Sequence, residues 1–208
     1  MNILIVDDHA ILRKGLIQLL LSEYKDLNIE EASNSDEVNA ILHKLEWDCI
    51  LLDISMPGKN GMEILKQMRL DEVKAPILML SMHSEEQYAI RALKAGASGF
   101  LNKNSAPDEL ILAVKRLLSG RRYISATLAE NLAESIGSKA TLKHDNLSDR
   151  EMQVFTMLAK GKAIGEIAEE IFLSANTIKT YRSRVMEKMD FKNLSDLTRY
   201  AIENDLVS

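Results

Sequence analysis

Over residues 1–120, short runs of Ile, Leu and Val without polar alternation recur between longer stretches whose apolar residues return every three or four positions. Unalternated runs read as strands buried on both faces of a parallel sheet, and the longer pattern reads as amphipathic helix. Strands are predicted at 2–7, 27–32, 48–53, 76–81 and 98–102, with helices at 9–23, 35–46, 62–70, 85–95 and 107–119. The last helix shows its period plainly, with Leu110, Ala113, Val114, Leu117 and Leu118 forming one stripe. Ser84-Glu-Glu-Gln87 reads as a capping box for the fourth helix. Five repeats of strand then helix imply a doubly wound α/β domain with a parallel sheet covered on both faces.

The pattern changes after Gly120. A short helix is predicted around 126–136, and the polar stretch Gly137 to Asn146 reads as linker. From Leu147 on there is no strand pattern, only four short helices. Ser148-Asp-Arg-Glu151 is a capping box for the first, which runs to about Lys160, and Gly161 suits its C-terminal end. Ile164, Ile167, Ala168 and Ile171 stripe the second. Ser174 can cap a third, with Ile178, Val185 and Met189 on one line, and a fourth spans about Leu194 to Glu203. Two helices joined by a tight turn, the second locally basic, outline a helix-turn-helix.

Chemistry collects at the strand ends. The first strand closes on Asp7 and Asp8, the third on Asp53, the fourth on Ser81 and the fifth on Lys103. Ligands of open α/β sheets bind just beyond the carboxyl ends of the strands. Any one of these residues alone reads as a turn former, a cap or a surface charge. Together they would place three acids, a hydroxyl and a cation at one end of one sheet, the makings of a metal-assisted phosphoryl-acceptor site. Gly96-Ala-Ser-Gly99 is no nucleotide fingerprint, because it lies between helix and strand, the wrong way round.

Composition narrows the picture only a little. The 208 residues, 46% of them hydrophobic, suit one or two domains with ordinary cores. No run approaches a membrane span, so a soluble, cytoplasmic protein with no membrane partner is expected. The single cysteine, Cys49, falls inside a predicted strand, which excludes a disulfide framework. Residues 1–120 hold 18 acidic against 13 basic side chains, whereas residues 121–208 hold 13 of each. The basic excess is local: five cations and two acids lie between Asn176 and Lys192.

Five separated motifs carry a family resemblance. They are Ile5-Val-Asp-Asp8, Leu52-Asp-Ile-Ser-Met-Pro57, Leu80-Ser81, Ala95-Gly-Ala-Ser-Gly-Phe-Leu-Asn-Lys103, and Leu147-Ser-Asp-Arg-Glu151 followed by Asn176-Thr-Ile-Lys-Thr180. In that order they resemble the two-component response regulators of the NarL/FixJ family. The resemblance implies a (βα)5 flavodoxin-like receiver at 1–120, a linker with a short helix at 121–145, and a small all-α four-helix LuxR-type helix-turn-helix domain at 146–208.

By that resemblance Asp53 accepts phosphate from a cognate sensor histidine kinase. Asp8, Asp53 and the backbone carbonyl of Ser55 would hold Mg²⁺ directly, with Asp7 reaching it through water. Lys103 would pair with a phosphoryl oxygen, and Ser81 would bond another, with Phe100 reorienting alongside. Ser55 and His83 stand where the family tunes phosphoryl lifetime. Asn104 follows Lys103 where many receivers have proline.

On the third helix of the second domain, rotation of about 100° per residue sets Thr180, Ser183 and their neighbours opposite the apolar line. Lys179, Thr180 and Ser183 match the base-facing positions of the family, and Arg182, Arg184 and Lys188 are candidates for DNA phosphates. Tyr181 and Leu194 replace the histidine and arginine common there. Leu194, Leu197, Ala201 and Ile202 form an apolar stripe on the last helix, expected to pair two copies on promoter DNA after activation.

The implied function is transcription regulation, with no enzymatic activity beyond self-phosphorylation and self-dephosphorylation. One alternative is an aspartate-based Mg²⁺ phosphohydrolase of the haloacid-dehalogenase kind, but those enzymes place a second acid two residues after the nucleophile, where this chain has Ser55. A phosphorylation-independent receiver acting as an interaction module is the other; the full set Asp7, Asp8, Asp53, Ser81 and Lys103 argues against it.

Overall fold

A computed structural model describes residues 1–208 except 83, 84, 127, 131–141, 205 and 208, and except the side chains of 85–87. The chain divides into two compact units, Met1–Gly137 and Ser138–Ser208. His83, the Ser84 capping box and most of the expected linker helix lie outside the described residues.

The first unit alternates β1 (Asn2–Val6), α1 (Ala10–Glu23), β2 (Asn28–Ala32), α2 (Ser35–Ile41), β3 (Cys49–Asp53), α3 (Gly61–Leu70), β4 (Ile77–Ser81), α4 (Glu85–Lys94), β5 (Gly99–Asn102) and α5 (Pro107–Leu118). All strand pairings are parallel, in the order β2-β1-β3-β4-β5. The chain therefore reverses its winding between β1 and β3, the switch point at which doubly wound sheets open a crevice.

Strand parity builds two cores. Leu4, Val6, Ile50, Leu52, Ile77, Met79 and Phe100 pack with residues of α2, α3 and α4 on one face. Ile3, Ile5, Cys49, Leu51, Leu78, Leu80 and Leu101 pack with α1 and α5 on the other. The middle strands β3 and β4 are buried at every position, which is why their sequences do not alternate. The edge strand β2 keeps only Ala32 fully buried and carries Glu30 and Glu31 outward, as charged edges commonly do. At the other edge Tyr123 pairs with Gly99, and a Cβ on Gly99 would come within 2.9 Å of the Tyr123 carbonyl. Glycine is needed there for the chains to approach.

One element is shorter than its periodicity predicts. The α2 helix stops at Ile41 rather than near residue 46. The following turns are fixed from outside the helix, where the Trp47 indole Nε1 donates to the Leu42 carbonyl (2.8 Å).

The second unit contains a 3-10 turn (Lys143–Asn146), α6 (Asp149–Ala159), α7 (Ile164–Glu170), α8 (Ala175–Met189) and α9 (Leu194–Glu203). The Ser148 capping box forms as read: Ser148 N–H donates to Glu151 Oε2 (2.8 Å), and Glu151 N–H donates to Ser148 Oγ (3.3 Å). Gly161 follows α6 with φ +81, the left-handed conformation that ends helices most cheaply in glycine. Ser174 caps α8 through the Thr177 amide (3.1 Å). Phe155, Ile167, Ile171, Ile178, Val185, Met189, Leu197 and Ala201 join the one core of this unit.

Candidate functional site

The register delivers the acids to one place. Val6 faces Leu52 across β1 and β3, so the next residues, Asp7 and Asp53, leave the sheet side by side. Asp53 faces Leu80, and Ser81 faces Asn102, which sets Ser81 and Lys103 at the adjoining strand ends. Lys103 N–H donates to the Ser81 carbonyl (2.8 Å), fixing the direction of the lysine.

The Lys103 ammonium lies 2.6 Å from Asp7 Oδ2 and 2.8 Å from Asp53 Oδ2. All three side chains are buried, and Lys103 is only 3% exposed. Lysine is rarely buried so deeply unless it is paired. Burial is the main influence on Asp53 and pushes its carboxyl up to about 6; the nearby Asp7 charge adds to this, and Lys103 opposes it. Desolvation thus outweighs the pairing with Lys103 at this carboxyl.

Bookkeeping of the oxygens separates the roles of the acids. Asp7 is already engaged, since Oδ2 takes Lys103 and Oδ1 accepts the His9 backbone N–H (2.8 Å). Its backbone carbonyl accepts Arg13, which also pairs with Glu31 at 2.9 Å. Asp8 Oδ1 and Asp53 Oδ2 are buried with no aligned hydrogen bond, although His9 Nδ1 and the Lys103 ammonium each approach to 2.8 Å. Buried anionic oxygens in that condition suit a hard divalent cation, which binds one or two carboxylates and retains waters. Ligand atoms of Asp7, Asp8, His9 and Asp53 fall within 4.8 Å of one another. The acidic cluster therefore suits a hard divalent cation such as Mg²⁺. The backbone N–H of Ser55 donates to Asp53 Oδ1 (3.1 Å), folding the following loop back over the carboxylate.

Two residues here escaped the reading of the sequence. His9 directly follows the acid pair, and its Nδ1 is 2.8 Å from Asp8 Oδ1. Gly61, at the start of α3, has no room for a side chain: a Cβ would lie 1.9 Å from the Asp53 carbonyl oxygen. Its signal in the sequence was only a glycine eight residues after Asp53. Phe100 is fully buried in the core among Tyr88, Ala89 and Ala92 of α4.

In the second unit, α8 buries Ile178, Val185 and Met189 and exposes Lys179, Thr180, Ser183 and Arg184. The Thr180 hydroxyl donates back to the Asn176 carbonyl (3.0 Å), and Arg182 is half-buried. Two expectations need correcting. Lys188 is not a free phosphate contact, because its ammonium is 2.6 Å from the buried Glu151 carboxylate and also reaches the Asn146 carbonyl at 3.4 Å. Burial alone would raise the Glu151 carboxyl, but the bonds from Lys188 and Ser148 outweigh it and hold it below the usual range. Leu197 and Ala201 are not dimerisation residues, since both are fully buried in the core of their own domain. The apolar side chains that α9 exposes are Leu194 (39%) and Ile202 (59%), which border a surface hollow with Ser195, Thr198, Arg199 and Glu203.

Comparison with known proteins accounts for both units. Residues 3–115 match the response regulator receiver domain, and residues 145–201 match the bacterial regulatory proteins of the luxR family. The chain is a two-component response regulator of the NarL/FixJ family. It is 34% identical over 208 residues to the response regulator UvrY of Escherichia coli (strain K12), covering 99% of this chain and 95% of that protein. It is 32% identical to the oxygen regulatory protein NreC of Staphylococcus epidermidis, over 100% of this chain and 99% of the relative. Among solved structures it is similar to RcsB from Salmonella enterica serovar Typhimurium bound to promoter rprA in the presence of the phosphomimetic BeF3-. That likeness has a TM-score of 0.64 at 26% identity and covers 96% of this chain and 97% of RcsB. This response regulator joins a receiver to a LuxR-type DNA-binding domain and acts in transcription regulation. Among the described residues, no helix is long and apolar enough to cross a membrane.

Proposed function

We propose that Asp53 is the phosphoacceptor of this regulator, charged by a cognate sensor histidine kinase with Mg²⁺ held by Asp8, Asp53 and the Ser55 backbone carbonyl. The observation that carries the reading is the buried Lys103 ammonium spanning Asp7 and Asp53. A carboxylate can attack an anionic phosphoryl group only where the repulsion is offset, and Lys103 is held in position to offset it. The bound cation would supply the remaining neutralisation. Ser81 then engages the phosphoryl group, and Phe100 repacks against α4, carrying the change to the receiver surface.

The same reading treats residues 1–120 as the receiver, 121–145 as linker and 146–208 as the DNA reader, in a cytoplasmic protein with no enzymatic turnover beyond its own phosphorylation and dephosphorylation. Lys179, Thr180 and Ser183 contact bases of double-stranded promoter DNA, with Arg182 and Arg184 on phosphates. Activation favours a homodimer whose α9 contact is made by Leu194 and Ile202. Their exposure beside the hollow supports that assignment.

The decisive experiment incubates the purified chain with acetyl phosphate and Mg²⁺ and follows the mass and the mobility in a phosphate-affinity gel. One added phosphoryl group is expected in the wild type and none in Asp53→Asn or with chelator. Labelling of Asp53→Asn at the wild-type level would sink the assignment.

A further inference from the structure

We infer that the cleft between α1 and α5 is a binding site for an uncharged amphipathic small molecule, one with an apolar body and a single hydroxyl, carbonyl or amide head. The two helices are joined near their C-terminal ends, where Lys115 Nζ lies 2.5 Å from Glu23 Oε1. Toward their N-terminal ends a cleft of about 420 Å³ lies between them. Leu12, Leu16 and Leu19 of α1 and Leu110 of α5 form its walls, over Leu80 and Leu101 of the core on that face of the sheet. Small-molecule sites share that apolar lining and run from about 300 to 1,000 Å³.

Gly15 keeps the cleft open. It lines the cleft with Leu12, Leu16 and Leu19, in ordinary helical backbone that asks for no glycine. A Cβ built on it meets nothing within 4 Å. Glycine inside a helix is costly, and here it leaves the wall one side chain short. The polar end sets the class of occupant. Asn102 and Ser105 bring an amide and a hydroxyl to the cleft where β5 ends, and among the described residues Lys103 is the only charged one that lines it. Its ammonium is already shared between Asp7 at 2.6 Å and Asp53 at 2.8 Å, so no cation is left to pair with an anionic head. An ionised head would enter the cleft without a partner, which disfavours it strongly. A neutral head can hydrogen-bond to the Ser105 hydroxyl without that cost.

The test uses the full chain and the uncharged dye 6-propionyl-2-dimethylaminonaphthalene, whose emission moves to the blue in apolar surroundings. The wild type is expected to bind one dye per chain with blue-shifted emission. Decanol should displace it, whereas decanoate, of the same chain length but ionised at neutral pH, should require a concentration about tenfold higher or more. In Gly15→Leu, which fills the open wall, dye affinity should fall by about tenfold or more with no loss in the urea midpoint of unfolding. The half-buried Leu12→Gln should weaken binding in the same direction. Equal binding by the wild type and both variants would overturn the site, and displacement by decanoate as readily as by decanol would overturn the class of occupant. A wild-type dimer that Gly15→Leu disperses in sedimentation would give the cleft to a second copy of the chain and overturn the small-molecule site as well.

Discussion

Replacing Gly61 by alanine isolates the geometry of the acceptor loop from its chemistry. In an ordinary helix the change stabilises by about 1 kcal/mol, because alanine is the better helix former. Gly61 opens α3, yet its added Cβ would lie 1.9 Å from the Asp53 carbonyl oxygen, 2.8 Å from the carbonyl carbon and 2.9 Å from Ile54 Cα. All three are backbone atoms and cannot rotate away. Restoring ordinary contact requires the start of α3 to separate from the end of β3 by about 1 Å or more, overpacking of a kind that costs about 1–3 kcal/mol. The displaced backbone carries both Asp53 and the Ser55 carbonyl. A misplacement of about 1 Å at a reacting group slows the chemistry by roughly 10²-fold. Gly15, exposed in α1 with nothing within 4 Å of a built Cβ, is the matched control, and there alanine should stabilise by about 0.5–1 kcal/mol. Trp47 is the only tryptophan and is buried in the receiver, so its fluorescence in urea reports receiver unfolding directly. The expected result is opposite shifts in urea midpoint for the two variants, with acetyl-phosphate labelling slowed only in Gly61→Ala. A Gly61→Ala protein as stable as Gly15→Ala and labelled at the wild-type rate would falsify this account of the loop.

The DNA-reading helix separates base contacts from structure: Lys179→Ala should change sequence preference in a gel-shift series by about 1–3 kcal/mol at one position. Lys188→Ala should instead destabilise the domain by about 1–2 kcal/mol, with the salt slope of DNA binding unchanged, because it strands the buried Glu151. Since the folded Glu151 carboxyl is lowered from 4.5, the pair's contribution is complete above that value and fades as pH falls below it. Thermal melts from pH 7 down to 3 should show this acid-side loss in the wild type and not in Lys188→Ala. On α9, Ile202→Glu should weaken dimerisation in sedimentation without loss of helix, whereas Leu197→Ala should cost about 2–5 kcal/mol of folding stability. Burial pushes the Cys49 thiol up to about 12, so an aromatic disulfide reagent at pH 8 should react only after denaturant is added, and rapid native labelling would contradict its place in β3.

Features set by neighbours along the chain were legible in the sequence. The parallel strands follow from unalternated runs at Ile3–Val6, Cys49–Leu52 and Ile77–Leu80, because burial on both faces removes the polar alternation. The Ser148–Glu151 cap and the Gly161 stop are likewise local, their partners lying within a few residues. The same holds for the strand-end acids, since the rule that ligands gather at carboxyl ends needs only the strands.

Pairing across the fold was not legible. Lys188 reads as a free cation until Glu151, 37 residues away, is brought to it. Periodicity found an apolar stripe on α9, but about 100° per residue turns Ile202 well round from Ala201, and only the packed core decides that Leu197 and Ala201 face inward. Gly61 gains meaning only from backbone atoms of Asp53 and Ile54 that the closing of α3 on β3 sets within 3 Å of it. Hydrophobic pattern determines which face of an element seeks burial; which partner meets it, and which polar atoms are left over for chemistry, is decided when the elements close on one another.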